Sequence, residues 1–385
     1  MEASPEQFLK LPHGGRICYQ TFGPHAGTPV LLLSGGGQSM LSWHEDLIAQ
    51  LASALSQSNP SSPPSSSSSP ARDYLFVRYD TRDTGRSTHY ACLDDEARRR
   101  YTLDDLLADA LALLDHVCAG VENAARAAHL VGFSMGGATA WMLAARHPHR
   151  VRTITLVSSS PVGPAGDVAT GIPSVDEATM KRVEAVARPT EGEEWMTDRE
   201  AVVRFLVGFE EACMGDEEER LTDEERRGAE ESAGWAFDRA ARVVRDAKQE
   251  MGDEDQRKGS KSQDNGRLYE RGEERANVSS FFNQAGAAWA AWPREELRRV
   301  ACPAVVVHGD GDGNVPLRHG EVLAEEMRGG GGGEGDGGAG PVATRQRARL
   351  VVVRGMGHGL RRRHWGVVVE EVRRVVAAAE GAMRG

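Results

Sequence analysis

The chain has 385 residues, enough to bury a sizeable core as one large domain with an insertion or as two ordinary domains. Of these residues 40% are hydrophobic and 27% charged, a composition that excludes a disordered or fibrous protein. The formal net charge of −11 comes entirely from residues 191–275, which hold 26 acidic and 15 basic residues; this predicts a solvated surface and argues against nucleic acid or anionic substrates as partners. Five scattered cysteines without a CxxC pair argue against a disulfide framework or a zinc site. The sequence shows no apolar leader and no run of about 18 apolar residues, so we expect a soluble cytoplasmic protein with no membrane span.

The first 160 residues alternate between short apolar segments, rich in β-branched residues, and longer segments with helical periodicity. Strands are predicted at Arg16–Thr21, Val30–Leu33, Tyr74–Tyr79, Val151–Val157 and along the apolar run that begins at Ala128. Helices are predicted at Trp43–Ser56, Leu103–Val117 and Ala138–Arg146, the second of which starts at a capping box formed by Thr102 and Asp105. This alternation predicts an α/β fold with a mostly parallel central sheet and helices on both faces.

A different pattern fills the middle of the chain. From residue 161 to about residue 293 the sequence is polar and helical, with candidate helices at Asp198–Cys213 and Ala229–Val244. Strand patterns return at Ala304–His308 and Leu350–Arg354, and a last helix is predicted at Trp365–Ala379. We therefore predict a core made of residues 1–160 and 294–385, with a mainly helical, acidic cap of residues 161–293 inserted between two strands.

Three compositionally biased stretches interrupt these elements. Residues 56–70 are almost wholly Ser, Pro, Asn and Gln, and we predict a disordered loop there because so few apolar residues cannot form a core. Residues 250–274 are polar and charged, and residues 329–340 are nearly all glycine. Both stretches fall between predicted elements, where extra length costs little entropy, so we expect them to lengthen loops.

The apolar run after Ala128 ends on the pattern Gly132-x-Ser134-x-Gly136, which a helical segment follows. A serine hydroxyl is a weak nucleophile at neutral pH, and a sharp strand-to-helix turn holds it clear of the backbone, where a base can reach it. Small residues two positions before and after the serine make that turn sterically possible. In a chain with 44 glycines the short pattern can arise by chance, so its context has to support it.

The context supplies a candidate base and a candidate acid in the order that a nucleophile elbow requires. Asp310 and Asp312 lie in the Gly- and Pro-rich loop after the strand that begins at Ala304, and Asp312, further into the loop, is better placed to reach a neighbouring strand. His358 lies in a glycine-rich turn after the next strand. We predict a Ser134, Asp312, His358 triad, with Asp167 as a minor alternative for the acid.

A serine nucleophile also needs amide donors for the developing oxyanion. The Met135 amide is one candidate because it heads the helix after the serine, at the positive end of the helix dipole. Gly36 is the second candidate, with Gly37 as its alternative, because the predicted strand at Val30–Leu33 runs into three glycines whose amides can approach a ligand closely. A tight turn without a binding role is the competing interpretation of these glycines.

These motifs resemble those of the α/β-hydrolase superfamily, and a further one, Tyr79-Asp-Thr-Arg-Asp-Thr-Gly-Arg-Ser87, strengthens the likeness. The resemblance implies that Asp80, Arg82 and Gly85 hold a loop that frames the pocket. Within the superfamily the sequence is most similar to aclacinomycin methylesterase-like serine carboxylesterases. The likeness covers residues 16–162 and 281–375, whereas the cap matches poorly and Ser34 stands where many relatives have a His-Gly pair.

The resemblance and the triad together imply hydrolysis of a carboxylic ester, such as a methyl ester, of a small apolar molecule, without a metal or an organic cofactor. Thioesterase, amidase or peptidase, C–C hydrolase and cofactor-free haloperoxidase chemistry fit the same triad, and a non-catalytic receptor or scaffold could keep the fold. Four tryptophans could line an apolar pocket, although core packing is their commoner role: Trp141, Trp235, Trp289 and Trp292. The oligomeric state stays open.

Overall fold

A computed structural model describes residues 1–12, 15–56, 73–89, 101–119, 126–187, 198–214, 220–239, 284, 292–328 and 348–382. Its centre is an eight-stranded sheet whose strands, in chain order, are β1 (Gln7–Lys10), β2 (Arg16–Phe22), β3 (Thr28–Leu33), β4 (Tyr74–Tyr79), β5 (Ala128–Phe133), β6 (Val151–Val157), β7 (Ala304–Gly309) and β8 (Arg349–Val353). Their order across the sheet is β1-β2-β4-β3-β5-β6-β7-β8. The pairs β1/β2 and β2/β4 are antiparallel, and the remaining pairs are parallel.

Eight α-helices surround the sheet or lie in the stretch that was predicted as the cap. They are α1 (Glu45–Ser56), α2 (Leu103–Val117), α3 (Met135–Arg146), α4 (Glu177–Ala187), α5 (Arg199–Ala212), α6 (residues 223–239), α7 (Leu317–Arg328) and α8 (Trp365–Ala382), counted over the described ranges. Among them, no helix is long and apolar enough to cross a membrane.

The parallel strands are hydrophobic along their whole length because both of their faces are covered. Successive side chains of β3 point to opposite faces: Leu31 and Leu33 pack with α2 and α3, whereas Val30 and Leu32 pack with α1 and α8. The two clusters explain why the strand pattern in the sequence is a continuous apolar run rather than an alternation. They also pack both faces of the sheet, which gives the molecule a rigid core.

The predicted α/β-hydrolase fold is confirmed by this architecture, and most strands and helices lie within two or three residues of their predicted ends. Strand β1 and the helices α4 and α7 were not predicted. Helix α6 begins six residues before the predicted start at Ala229, because Thr222 and Glu225 form a capping box: the Thr222 amide donates to Glu225 Oε2 over 2.9 Å, and the Glu225 amide donates to Thr222 Oγ1 over 3.2 Å.

Several sequence predictions concern residues that the structure does not describe. The loop predicted around residues 56–70, the polar stretch 250–274 and the glycine-rich stretch 329–340 lie outside the described residues, apart from Ser56 at the end of α1. The predicted continuation of the α6 helix beyond residue 239 does too. The division into a core and an inserted cap stays a prediction, with α4, α5 and α6 lying in the stretch assigned to the cap.

Candidate active site

Ser134 stands on a sharp turn between β5 and α3. Its backbone has φ 53° and ψ −120°, a left-handed conformation that costs energy for any residue with a Cβ. The surrounding structure holds the turn in place: the Ser134 amide donates to Val157 O over 2.9 Å, and its carbonyl oxygen accepts from Ser159 Oγ over 2.9 Å. This is the geometry that exposes a serine hydroxyl at the edge of a parallel sheet.

The two glycines of the motif are sterically required. A Cβ on Gly132 would overlap the carbonyl oxygen of Gly136, and a Cβ on Gly136 would overlap the carbonyl oxygen of Leu33. The helix therefore packs directly on the ends of β3 and β5, which a larger residue at either position would prevent.

His358 lies between Ser134 and Asp312. Its Nε2 atom is 3.0 Å from Ser134 Oγ, and its Nδ1 atom is 2.9 Å from Asp312 Oδ2. The second carboxylate oxygen of Asp312 accepts the Val315 amide over 2.8 Å, and the Phe133 ring lies 5.1 Å from the imidazole, centroid to centroid. Three side chains from distant parts of the chain thus form one continuous hydrogen-bonded relay, the geometry in which a base can accept a serine proton.

The other two candidate acids lie elsewhere. Asp310 is exposed, and its Oδ1 accepts the Gly355 amide over 2.6 Å, so it braces the loop that follows β8. Asp167 Oδ2 accepts from Thr170 Oγ1 over 2.6 Å and lies 3.4 Å from a terminal guanidinium nitrogen of Arg294. Neither carboxylate hydrogen-bonds to His358.

The electrostatic surroundings keep Asp312 ionised. Burial alone would raise the pKa of this fully buried carboxyl, but the His358 and His308 imidazoles and the Val315 amide outweigh burial and hold the pKa below its ordinary value. His308 Nε2 lies 3.7 Å from Asp312 Oδ2, and burial lowers the pKa of His308, although Asp312 opposes that shift. A charged carboxylate therefore faces the His358 Nδ1 position.

The two residues predicted to supply the amide donors, Gly36 and Met135, are neighbours in the structure. A Cβ built on Gly36 would lie 3.7 Å from Met135 Sδ and 4.0 Å from Met135 Cβ, in ordinary van der Waals contact. Neither the Gly36 amide nor the Met135 amide donates to an acceptor among the described residues. The Gly37 amide, the alternative donor, is already bonded to Gln284 Oε1 at 2.5 Å, so the geometry favours Gly36.

A family model for the α/β hydrolase fold matches residues 28–329. The chain belongs to the α/β-hydrolase family. Its curated relatives include rhodomycin D methylesterase DauP of Streptomyces sp. (strain C5), 36% identical over 135 residues, which are 35% of this chain and 36% of that protein. Rhodomycin D methylesterase DnrP of Streptomyces peucetius is 31% identical over 192 residues, covering 46% of this chain and 54% of the relative. The matches thus span about a third to a half of these relatives.

Solved structures with the same fold include a bromoperoxidase from Bacillus anthracis, with a TM-score of 0.59 and 17% identity over 96% of this chain and 99% of the other. Esterase RhEst1 from Rhodococcus sp. ECU1013 has a TM-score of 0.56 and 20% identity over 98% of this chain and 100% of the other. At such identities the likeness shows the α/β-hydrolase fold alone.

The loop after β4 is a rigid frame in this α/β hydrolase. The buried Asp80 carboxylate accepts the Met40 amide over 2.8 Å and the Arg86 amide over 2.9 Å. A Cβ on Gly85, at φ +50°, would overlap that carboxylate. Arg82 binds both oxygens of Asp109 in α2, each over 2.8 Å. These contacts match the loop-holding role that the sequence resemblance implied for Asp80, Arg82 and Gly85.

The stretch predicted as the cap contacts both loops that carry the relay. The His358 amide donates to Cys213 O over 3.1 Å, just beyond the end of α5, and the Asp176 amide, just before α4, donates to Gly313 O in the Asp312 loop over 2.8 Å. Sequence reasoning missed these contacts and Gln284, because backbone acceptors and a lone glutamine carry no motif. Arg182 of α4 in turn donates to Ala212 O over 2.9 Å.

Trp141 and Trp235 lie in different surroundings. Trp141 lies in the core cluster beside α2 and donates its Nε1 hydrogen to Ser160 O over 3.1 Å, whereas Trp235 on α6 is 57% exposed. Trp292 packs against the core, and Trp289 lies outside the described residues. Trp141 therefore has the core-packing role that is the commoner one for tryptophan. Among the described side chains, no group of three His, Cys, Asp or Glu residues could hold a metal ion.

Proposed function

We propose that this protein is a serine hydrolase that cleaves a carboxylic ester through an acyl-enzyme. The observation that carries the proposal is the relay in which His358 Nε2 lies 3.0 Å from Ser134 Oγ and His358 Nδ1 lies 2.9 Å from Asp312 Oδ2. The ionised Asp312 holds the imidazole in the tautomer that carries its proton on Nδ1, which leaves Nε2 free to accept. His358 is therefore the general base, and Ser134 is the nucleophile.

In the first half-reaction Ser134 Oγ attacks the ester carbonyl carbon while its proton moves to His358 Nε2. The Gly36 and Met135 amides, which have no acceptor among the described residues, donate to the oxyanion of the tetrahedral intermediate. The intermediate collapses, the C–O bond to the alcohol breaks, and the imidazolium donates its proton to the leaving alkoxide. The Met135 amide also lies at the N-terminus of α3, where the helix dipole favours negative charge.

In the second half-reaction a water molecule loses a proton to His358 Nε2 and attacks the acyl carbon. The second tetrahedral intermediate expels Ser134, which recovers its proton from His358, and the carboxylic acid leaves. Every proton taken from one group is returned to another, so the residues of the relay are enough to balance the reaction. We infer from this that no organic cofactor takes part.

The substrate class that we propose is a small apolar ester, such as a methyl ester. Its support is the naming of two curated relatives as rhodomycin D methylesterases, at 36% and 31% identity over parts of the chain. The acidic excess in residues 191–275 disfavours anionic substrates. We place the reaction in the cytoplasm, with no nucleic-acid partner.

The test is steady-state hydrolysis of a panel of methyl, aryl and lipid esters by the wild type and by Ser134→Ala. We expect kcat of the variant to fall by about 10⁴-fold or more on every ester that the wild type accepts, because the nucleophile is gone. Ser174→Ala, at an exposed serine, is the matched control and should keep the wild-type rate. Turnover of lactones or peptides alone, or equal rates for the wild type and Ser134→Ala, would contradict the proposal.

A further inference from the structure

Gln284 connects two loops at the candidate active site. Its side chain is fully buried, with 0% exposure. Its carbonyl oxygen Oε1 accepts the Gly37 amide at 2.5 Å, and its Nε2 donates to Thr81 Oγ1 over 2.8 Å and to Arg82 O over 2.6 Å. The side chain thus ties the glycine loop after β3 to the loop after β4, although Gln284 lies more than 200 residues away from both along the chain.

The chemistry of the contacts fixes the orientation of the carboxamide. The Arg82 carbonyl can only accept, so the atom facing it has to be the NH₂ group, and the Gly37 amide can only donate, so the atom facing it has to be the oxygen. An amide side chain is required because a carboxylate has no hydrogen to donate to the carbonyl and an apolar side chain meets neither need. Each partner left without a bond in this buried place would lose the hydrogen bond that offsets its removal from water.

The anchor on the β4 side is rigid. The Arg82 guanidinium forms a bidentate pair with Asp109 of α2, and both side chains are buried. Gln284 therefore couples the position of this fixed loop to that of the glycine loop at Gly37. A glycine backbone can adopt more conformations than that of any other residue. Gly37 has a φ angle of +72°, which lies in the left-handed region that favours glycine.

The Gly37 contact restrains the conformation of the neighbouring Gly36. Because the peptide between residues 36 and 37 is planar, holding the Gly37 amide limits the orientation of that plane and so the ψ angles that Gly36 can adopt. On the other side of Gly36, the Gly35 amide donates to Gln38 Oε1 over 3.2 Å. Of the three glycine amides, only that of Gly36 has no acceptor among the described residues, and it lies beside Met135.

From this geometry we propose that Gln284 is a positioning residue that aims the Gly36 amide at the oxyanion. The proposal rests on the proposed ester hydrolysis, because the oxyanion in question is that of the tetrahedral intermediate of this reaction. Gln284 touches no reacting atom and acts through the Gly37 peptide. A misplacement of about 1 Å in a preorganised site can cost about 10²-fold in rate, so its loss is expected to affect the chemical step rather than substrate binding.

Two variants test the proposal: Gln284→Met removes the hydrogen bonds to Gly37, Thr81 and Arg82 at nearly constant volume, and Gln284→Glu keeps an acceptor for Gly37 but has no hydrogen to donate to Thr81 or Arg82. With an aryl ester we expect kcat to fall by about 10- to 100-fold in each, with KM within about threefold of wild type. The inhibition constant of a trifluoromethyl ketone, whose adduct with Ser134 carries an oxyanion, should rise by the same factor as kcat falls.

Gln20→Met is the matched control, because Gln20 in β2 also makes three hydrogen bonds away from the site. Its Nε2 donates to Ser4 O over 2.9 Å, and its Oε1 accepts from Arg78 Nε and Nη2 over 3.2 and 2.8 Å. This variant should lose some stability but keep kcat and the inhibition constant. Gln284 variants with kcat and inhibition constants within twofold of wild type would overturn the positioning role.

Amide hydrogen exchange in the wild-type protein adds a test that does not depend on a variant that folds. We expect the Gly37 amide to be protected from exchange and the Gly36 amide to exchange faster. Equal exchange at the two positions would overturn the proposal. A wild type that hydrolyses no ester would instead refute the proposed function, so failure of the function and failure of the positioning role give different results.

Discussion

Asp310 and Asp312 are two residues apart in one loop, yet their surroundings differ completely. Asp312 is buried, bonds to His358 Nδ1 over 2.9 Å and has its pKa held low by the imidazoles beside it, against the effect of burial. Asp310 is exposed and bonds to the Gly355 amide. Their order in the loop was enough to prefer Asp312 from the sequence, because the residue further from the strand end can reach the neighbouring loop.

Replacing each carboxylate by its amide separates the two roles. In Asp312→Asn we expect kcat to fall by about 10³- to 10⁴-fold, because the neutral amide no longer stabilises the imidazolium and can hold the imidazole in the wrong tautomer. Asp310→Asn should stay within about threefold of wild type, since its contact supports only the backbone of a loop. Steady-state hydrolysis of one aryl ester checks both, and comparable losses in the two variants would contradict the assignment.

The role of Gln284 could not be predicted from the sequence. Ser134 and His358 lie in motifs whose glycines mark sharp turns, so their positions could be predicted from local patterns. Gln284 has no such signal, because its partners are a backbone amide, a backbone carbonyl and a threonine hydroxyl. Contacts of this kind depend on how two distant loops meet, which only the tertiary structure determines.

At the scale of elements, the site forms where the carboxyl ends of parallel strands come together. Gly36, Ser134, Asp312 and His358 follow β3, β5, β7 and β8 respectively. These strands could be predicted because their side chains are apolar on both faces. Strand β1 was missed because it has four residues at the edge of the sheet with only partial burial, and α7 was missed because its apolar residues are few among charged ones.

Helix α6 joins the core through a buried ion pair. A terminal guanidinium nitrogen of Arg239 lies 2.8 Å from Asp80 Oδ2, with side-chain exposures of 10% and 0%, and another contact of 2.7 Å joins Arg239 to Glu6. Asp80 and Glu6, despite the opposing effect of burial, raise the pKa of Arg239. The same helix carries an exposed pair in which Arg199 Nε of α5 lies 3.0 Å from Asp238 Oδ1.

The two arginines are a matched pair for a stability measurement. Arg239→Met should lower the free energy of unfolding by about 3 kcal/mol, because it leaves the buried Asp80 carboxylate without its cation. Arg199→Met should change it by less than about 1 kcal/mol, since an exposed pair gains little in water. Urea unfolding of both variants provides the comparison. Equal effects of the two substitutions would show that Arg239 does not anchor α6 to the core.

Across the whole molecule, some acidic side chains of residues 191–275 form ion pairs with basic residues near the C-terminal helix. Glu225 of α6 lies 2.9 Å from a guanidinium nitrogen of Arg363 and 3.3 Å from one of Arg361, next to the histidine loop. The sequence had suggested only a solvated surface, because charge counts do not show which residues meet.

The most direct test of the central claim, a nucleophilic Ser134, is stoichiometric labelling with a fluorophosphonate followed by intact-protein and peptide mass spectrometry. We expect one phosphonyl adduct per chain, mapped to Ser134, in the wild type and in Ser174→Ala, and no adduct in Ser134→Ala. A folded wild type that remains unlabelled, or an adduct on a different residue, would contradict it.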